Sequence, residues 1–379
     1  MYPGFGYPLE EEIIFTRPTL QLRGHSVNLP AFLPDATFGF VRTLSSADLQ
    51  RVGVQAVMMN AFHLMQKPGS SVISNFGGLH TMAGWSGLIM TDSGGFQAYS
   101  LIRQNSKFGS INEKGIIFYP EGSKRKLLLT PEKSVQLQFG YGSDVLICLD
   151  ECTHANASRE EQEQSVTRTV AWAKRARAEY ERQLSSRHLE AGSRPLLFGV
   201  IQGGGEFDLR KRCAESLLEI GFDGFGFGGW PLDEHSRLLT DILEYTRSVV
   251  PREFPIHALG IGFPESVAAC YRMGYELFDC AMPTRDARHG RLYAWREAGG
   301  IPGTGNDWFR YRYINSEENT RDKGPISPGC DCPCCQDLSL GYLYHLYRMQ
   351  DSGYGRLATQ HNLRFMTQLM SALGNQNAL

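Results

Sequence analysis

Apolar runs of strand length recur along the chain and alternate with segments of helical periodicity. The eight runs are Ala31–Thr37, Ala56–Phe62, Leu88–Gly94, Val145–Glu151, Leu196–Gly203, Gly224–Trp230, Ile256–Gly262 and Leu277–Pro283. Between them, residues 166–184 keep one apolar helical face, and Pro264 and Gly274 bracket another helix. Near-continuous apolar strands that alternate with helices predict a parallel sheet. Eight such units predict an α/β fold, a (β/α)8 TIM barrel.

The composition changes after the eighth run. Residues 295–360 are rich in Gly, Pro, Arg, Tyr and Cys, whereas the tail from His361 returns to a helical pattern. We therefore predict three parts. Residues 1–294 form the catalytic barrel with an N-terminal hairpin, residues 295–360 form a small cysteine-rich subdomain, and residues 361–379 form the last helix. The subdomain is then an insertion between the last strand and the last helix of the barrel.

Length and composition are those of a globular protein. The chain has 379 residues, of which 42% are hydrophobic and 21% charged, which excludes disordered and collagen-like classes. No stretch reaches the roughly 18 apolar residues of a membrane span, so no membrane partner is expected. The N-terminus is acidic where a signal peptide is basic, which predicts a cytoplasmic location. A net charge of −2 means that a polyanionic partner must meet a local basic patch.

Four of the nine cysteines crowd into residues 330–335. Clustering favours metal binding or redox chemistry in a reducing compartment over a disulfide framework, and no thioredoxin-like unit surrounds the CxxC motif. We therefore predict that Cys330, Cys332 and Cys335, completed by His361, form a tetrahedral zinc site, with Cys334 outside it. Four protein ligands leave no open position, so the ion is predicted to be structural, which disfavours a zinc hydrolase.

Polar residues stand where the predicted strands end. In a barrel the carboxyl ends of the strands carry the chemistry. Asn60, Asp92, Asp150, Gln202 and Asp279 all occupy such positions. Any one Asp is as readily a turn former or a helix cap. Three carboxylates that converge on one opening, with a glutamine among them, predict an active site instead.

Two further patterns have competing interpretations. Gly224–Gly229 formally matches a dinucleotide-binding fingerprint, but it lies in the sixth unit and not in a first βαβ unit, which disfavours NAD binding.

Trp308–Tyr313 interleaves aromatic residues with arginines, and Arg285, Arg288 and residues 124–126 add positive charge. Such interleaving suits nucleic-acid binding. Taken alone, the segment would be an ordinary strand with one solvated face.

Several sequence blocks together resemble the tRNA-guanine transglycosylase (queuine tRNA-ribosyltransferase) family. The blocks are Thr91–Gln97 (TDSGGFQ), Gly142–Thr153 (GSD…DECT), Val200–Gly204 (VIQGG) and Phe278–Arg285 (FDCAMPTR), and the Cys/His spacing also fits. The resemblance runs from about residue 15 to residue 375. It implies a pentosyltransferase that exchanges the wobble guanine, in the anticodon loop of queuosine-type tRNAs, for a 7-deazaguanine base.

The resemblance also implies roles for individual residues. Asp279 is the implied covalent nucleophile, and Asp92 the acid and base of a double displacement. The implied substrate-binding residues are Asp150, Cys152, Gln202, Gly229, Trp230, Phe96, Leu259 and Asn60. Arg285 and Arg288, with the zinc subdomain, would hold the RNA backbone. The family resemblance further implies a homodimer through the zinc region.

The sequence departs from the family's usual pattern near the base pocket. Ala61-Phe62 stands where Thr-Tyr is usual, and Trp230-Pro231 replaces a more ordinary Leu-Ala. Because Pro231 has no N–H, only the Trp230 carbonyl can face a ligand there, with Glu234 nearby in sequence. A carbonyl suits the ammonium group of preQ1 better than the nitrile of preQ0, and Leu232 crowds the larger queuine. We therefore expect preQ1 to be favoured.

Two other functions remain open from the sequence. A paralogue could perform the same base exchange in DNA, because only the nucleic-acid surface would differ. A non-catalytic tRNA-binding subunit is the second alternative. The presence of both Asp92 and Asp279 argues against it, because a scaffold needs neither.

Overall fold

Eight parallel strands form the centre of the protein in a computed structural model that describes residues 19–119, 126–154, 157–233, 235, 237–297 and 307–376. The strands are Ala31–Pro34, Ala56–Asn60, Leu88–Asp92, Val145–Ile147, Leu196–Ile201, Gly224–Phe227, Ile256–Ala258 and Leu277–Cys280. From the second to the eighth, each strand pairs with its neighbour in the chain, and the first pairs with the eighth. A parallel bridge between Asp35 and Met58 joins the first two strands and closes the cylinder. The predicted α/β barrel is confirmed.

Helices surround this sheet. They are Ser46–Arg51, Ala61–Leu64, Ser70–Asn75, Leu79–Ala83, Gly95–Gln104, Pro131–Tyr141, Arg159–Ser186, Phe207–Ile220, Thr240–Ser248, Pro264–Met273, Met282–Arg288, Pro333–Asp337, Leu340–Arg348 and Ser352–Gln376. Local sequence explains their ends. Ser158 forms a capping box with Glu161, and Gly274 ends its helix in the left-handed conformation at φ 101°. Among the described residues, none of these helices is long and apolar enough to cross a bilayer.

A hairpin closes the amino ends of the barrel strands. Its strands, Thr19–Leu22 and His25–Asn28, place Leu20, Leu22 and Val27 in the apolar cluster that fills the barrel interior. Arg23 Nη1 lies 3.3 Å from Oδ1 of Asp144, just before the fourth barrel strand. The hairpin therefore covers this end of the barrel, and the cleft described below opens at the other end, at the carboxyl ends of the strands.

Smaller sheets flank the barrel. A three-stranded sheet follows the third barrel strand (Gly109–Asn112, Gly115–Phe118 and Leu127–Leu129), and a hairpin follows the eighth (Arg291–Trp295 and Phe309–Tyr313). The Trp308–Tyr313 segment is thus mainly a strand. Of the basic residues 124–126, Lys124 and Arg125 lie outside the described residues.

The last helix begins at Ser352, upstream of the predicted start at His361. Tyr354, Ala358, His361 and Phe365 are all buried on it, at helical spacing. Gly353 and Gly355 interrupt the sequence pattern there, which concealed the first turns. The helix packs against Met282–Arg288 and the Arg291–Trp295 strand, so it holds the inserted segment to the barrel. The division of the chain at residues 294 and 360 stays a prediction.

Candidate active site

A cleft of about 490 Å³ opens at the carboxyl ends of the barrel strands. Its lining includes most of the residues predicted from strand ends and from the family resemblance: Asn60, Asp92, Phe96, Asp150, Cys152, Gly229, Trp230, Leu259 and Asp279. The fold brings them together because parallel strands present their carboxyl ends at one face of the barrel. Gln202 lies behind this surface and reaches the site through Asp150.

Asp92 is held by three hydrogen-bond donors at the end of the third strand. Oδ2 accepts from Asn60 Nδ2 at 2.7 Å and from Gln97 Nε2 at 3.5 Å, and Oδ1 accepts from the Gly94 N–H at 3.0 Å. Burial raises the pKa of Asp92 to about 8, and the charges of Asp279 and Asp35 act in the same direction against the hydrogen bonds. Asp92 therefore keeps its proton near neutral pH and can act as a general acid.

Asp279 lies on the eighth strand, with 18% of its side chain exposed to the cleft. Its Oδ1 accepts a hydrogen bond of 3.0 Å from the Gly260 N–H and lies 2.9 Å from Nε2 of the fully buried His257. The Gly260 N–H thus holds Oδ1 with His257 beside it, which leaves Oδ2 for a reaction. A fixed, partly exposed carboxyl group of this kind can serve as a nucleophile.

A third acidic group, Asp150, forms a polar edge with Gln202. Asp150 Oδ2 accepts a hydrogen bond of 2.6 Å from Gln202 Nε2. Burial raises the pKa of Asp150 to about 6, against the hydrogen bond from Gln202. Gln202 Oε1 is buried and lacks a partner among the described residues. Cys152, which receives the Gly229 N–H, lies beside them in the cleft wall. This edge can bind the donors and acceptors of a planar heterocycle.

Aromatic and apolar side chains form the walls of the cleft. Phe96 and Trp230 are about two-fifths exposed, and their rings contact edge to face at 5.7 Å between centroids. Leu259 is half-buried and also lines the cleft. A Cβ at Gly228 would lie 2.5 Å from Gln202 Nε2, so only glycine fits beside the polar edge. The space left between the walls suits a flat ring.

Arg285 and Arg288 lie on the Met282–Arg288 helix, directly after the strand that carries Asp279. Arg285 is exposed, and Arg288 Nη1 is buried without a hydrogen-bond partner among the described residues. Burial and the charges of Arg42 and Arg285 lower the pKa of Arg288. The guanidinium groups of Arg42, Arg285 and Arg288 are thus close enough to affect one another, and together they can bind an anion.

The predicted zinc ligands meet in the inserted segment. Nδ1 of His361 lies 3.6 Å from the sulfurs of Cys330 and Cys332 and 3.3 Å from that of Cys335. A tetrahedral zinc ion with ordinary bond lengths separates its ligand atoms by about 3.6 Å, so the four side chains fit a metal ion. His361 Nε2 lies 2.7 Å from the Tyr293 carbonyl, which fixes Nδ1 as the ligand atom. Cys334 is buried outside this set.

Sequence reasoning missed two residues of the cleft region. Asp35 follows the first barrel strand, lines the cleft and raises the pKa of Asp92. It was detectable, because it is one more carboxylate at a strand end. His257 stands in the middle of the seventh apolar run, where a single histidine is easily passed over. Away from the cleft, at the closed end of the barrel, the side chains of His25, His80 and Asp144 form a separate cluster.

The fold and the cleft define a (β/α)8-barrel enzyme whose candidate reacting groups are carboxyl side chains at the strand ends. A family model described as queuine tRNA-ribosyltransferase matches residues 17–376, and the chain belongs to this family. A protein named queuine tRNA-ribosyltransferase from Psychrobacter cryohalolentis is 38% identical to this chain, over 93% of this chain and 87% of its own length. The protein of the same name from Psychrobacter sp. strain PRwf-1 is 36% identical, over 94% of this chain and 88% of its own length. The Aliivibrio salmonicida protein of the same name is 37% identical over 94% of this chain and 88% of its own.

Proposed function

We propose that this protein exchanges the wobble guanine of queuosine-type tRNAs for a 7-deazaguanine base. The observation that carries the proposal is the shared cleft of Asp92 and Asp279, in which the pKa of Asp92 is raised to about 8. A protonated acid facing a second carboxyl group is the pair that a double displacement at a glycosidic carbon requires. The names of the relatives support tRNA as the polymer.

The reaction proceeds in two displacements. Oδ2 of Asp279 attacks C1′ of the nucleotide, the C1′–N9 bond breaks, and the departing guanine takes the proton of Asp92. The ribose is then an ester of Asp279. The incoming base gives its N9 proton to Asp92, its nitrogen attacks C1′, and the Asp279 carboxylate leaves. Two inversions retain the configuration at C1′.

The polar edge recognises the base. Asp150 accepts from the Watson–Crick N–H groups of guanine or a 7-deazaguanine, while Gln202, Cys152 and Gly229 bind the remaining edge. Phe96 and Leu259 lie on the two faces of the ring. The guanosine must leave its stack to reach this depth, so the reaction includes base flipping.

Basic residues outside the cleft position the RNA. The exposed Arg285 and the partly exposed Arg288 bind backbone phosphates, which contributes affinity but no sequence information. Cys330, Cys332, Cys335 and His361 hold a zinc ion, whose role when bound is to cross-link the inserted segment to the last helix. A homodimer through this segment and a cytoplasmic location are further parts of the proposal.

The Trp230-Pro231 peptide favours preQ1 as the incoming base. Pro231 has no N–H, and its own carbonyl accepts the Leu239 N–H at 2.9 Å. The loop is further held by the Leu232–Leu238 bridge and by the Asp233 N–H, which donates to the Arg237 carbonyl at 2.9 Å. Because Pro231 lacks an N–H, the Trp230 carbonyl is the group that this peptide can offer to an ammonium donor. Glu234 lies outside the described residues.

An exchange assay tests the proposal. The protein is incubated with labelled guanine and either bulk tRNA or duplex DNA, and the label in each polymer is counted. We expect label in tRNA alone, and none with the Asp92→Asn variant, because the amide cannot shuttle the proton. Label in DNA alone would instead identify the DNA-modifying activity. Label in neither polymer would favour a non-catalytic subunit.

A further inference from the structure

The fully buried imidazole of His257 contacts the carboxyl group of Asp279, the proposed nucleophile. Its side chain is 0% exposed, and its Nε2 lies 2.9 Å from Asp279 Oδ1. It stands on the seventh strand in register with Leu277, so His257 and Asp279, two residues further along the eighth strand, both face the barrel interior. The contact is therefore built by the strand register and not by a mobile loop.

The contact fixes which ring nitrogen carries the proton. A bare nitrogen lone pair would be repelled by a carboxylate oxygen at 2.9 Å, so Nε2 must carry the hydrogen. Nδ1 is buried with no hydrogen-bond partner among the described residues. A second N–H on the ring would be left unpaired in an apolar setting, which is costly. Nε2–H is therefore the group that the ring presents to Oδ1 of Asp279.

The donor is imperfectly aligned before substrate binds. The distance is that of a hydrogen bond, but the N–H direction is oblique to Oδ1, and neither ring nitrogen has a well-aligned partner among the described residues. Hydrogen bonds in active sites often tighten only along the reaction. A rotation of the carboxyl group that accompanies bond formation at Oδ2 would align it.

We propose, on the basis of the proposed double displacement, that His257 is a positioning residue that speeds the departure of Asp279 from the ribosyl ester. A hydrogen bond to Oδ1 is stronger when Asp279 is a free carboxylate than when Oδ1 is the carbonyl oxygen of an ester, because the acceptor is then no longer charged. The bond therefore stabilises Asp279 as a leaving group. It also restrains Asp279 as an attacking group, so the two half-reactions depend on His257 in opposite directions.

The experiment separates the two half-reactions with the full-length protein. Enzyme and tRNA are mixed without free base, the covalent complex is counted on a denaturing gel, and preQ1 is then added to follow its resolution. In His257→Phe we expect formation at the wild-type rate or faster, and resolution slower by roughly ten- to hundredfold. The steady-state fraction of covalent complex should rise while turnover falls. His257→Gln, whose Nε2–H₂ can reach Oδ1, should restore resolution.

Equal slowing of both half-reactions in His257→Phe would mean a merely structural role and would overturn the inference. Wild-type resolution in that variant would overturn it as well. If His257→Phe fails to fold, His257→Met supplies a flexible apolar side chain for the same comparison. An absence of covalent complex with the wild-type protein would show that the proposed mechanism itself fails, which is a distinct outcome.

Discussion

The side-chain amide of Asn60 links a helix cap to the acid of the cleft. Its Oδ1 accepts the His63 N–H at 2.9 Å, and its Nδ2 donates to Oδ2 of Asp92 at 2.7 Å. The cap therefore sets the orientation of the amide, and the amide favours the ionised form of Asp92. This bond opposes the burial that raises the pKa of Asp92 to about 8.

Removing this donor should shift the pH dependence of exchange. In Asn60→Ala the ionised form of Asp92 loses a hydrogen bond, so its pKa rises further and it gives its proton to the departing guanine less readily. We expect roughly tenfold slower exchange near pH 7, with the optimum moved to higher pH. Rates measured across pH test this. Gln97→Ala, which removes a donor at 3.5 Å, should move the profile less. An unmoved optimum in Asn60→Ala would contradict the assignment.

The strand ends were predictable because parallel strands converge there, and this rule alone identified Asn60, Asp92, Asp150 and Asp279. The partners of these groups depend on distances that the sequence does not encode. His257 illustrates this limit. A histidine inside an apolar run has the same pattern whether it faces a carboxylate or packs in the core. Only the register between the seventh and eighth strands places His257 against Asp279.

Cys332→Ala should release the metal ion and loosen the inserted segment. Structural zinc binding carries folding free energy, so loss of one of four ligands destabilises residues 307–348 and weakens their hold on the last helix. Elemental analysis should find one zinc per wild-type chain and little in the variant, with a lower unfolding temperature. Cys334→Ala is the matched control, since this cysteine lies outside the ligand set. A metal-free wild-type protein that is folded and active would refute the site.

Pro231→Ala should reduce the preference for preQ1 over preQ0. An alanine restores an N–H that can face an acceptor such as a nitrile, whereas the wild-type peptide offers only a carbonyl. The ammonium–carbonyl bond contributes roughly one to two decades of affinity, so the preQ1/preQ0 ratio of kcat/KM should fall by about that factor. Competition between preQ1, preQ0 and queuine measures it. Equal or better use of preQ0 by the wild-type protein would contradict the expectation.

The closed end of the barrel should lose stability as pH rises. Burial lowers the pKa of His80, but its bonds to Asp144 Oδ2 at 3.0 Å and to the Trp85 carbonyl at 2.9 Å outweigh this, so the pKa is raised above 6.5. The stabilisation is complete below the unfolded-state value and is lost as pH rises through the folded-state pKa.

The effect should be about 1 kcal/mol or less, because the pair is partly exposed. Urea unfolding at about pH 6 and about pH 8.5 measures it. His80→Gln should flatten the difference between the two pH values, whereas His235→Gln, on an exposed loop residue, should not. An unchanged pH dependence in His80→Gln would rule out this contribution.

The most direct test of the account is the location of the covalent bond to the ribose. The wild-type protein is quenched in denaturant during exchange with tRNA, digested, and analysed by mass spectrometry. We expect one ribosylated peptide, which carries the modification on Asp279. The Asp279→Asn variant should be folded, form no adduct and exchange no base. An adduct on Asp92 or Asp150, or continued exchange by Asp279→Asn, would contradict the account.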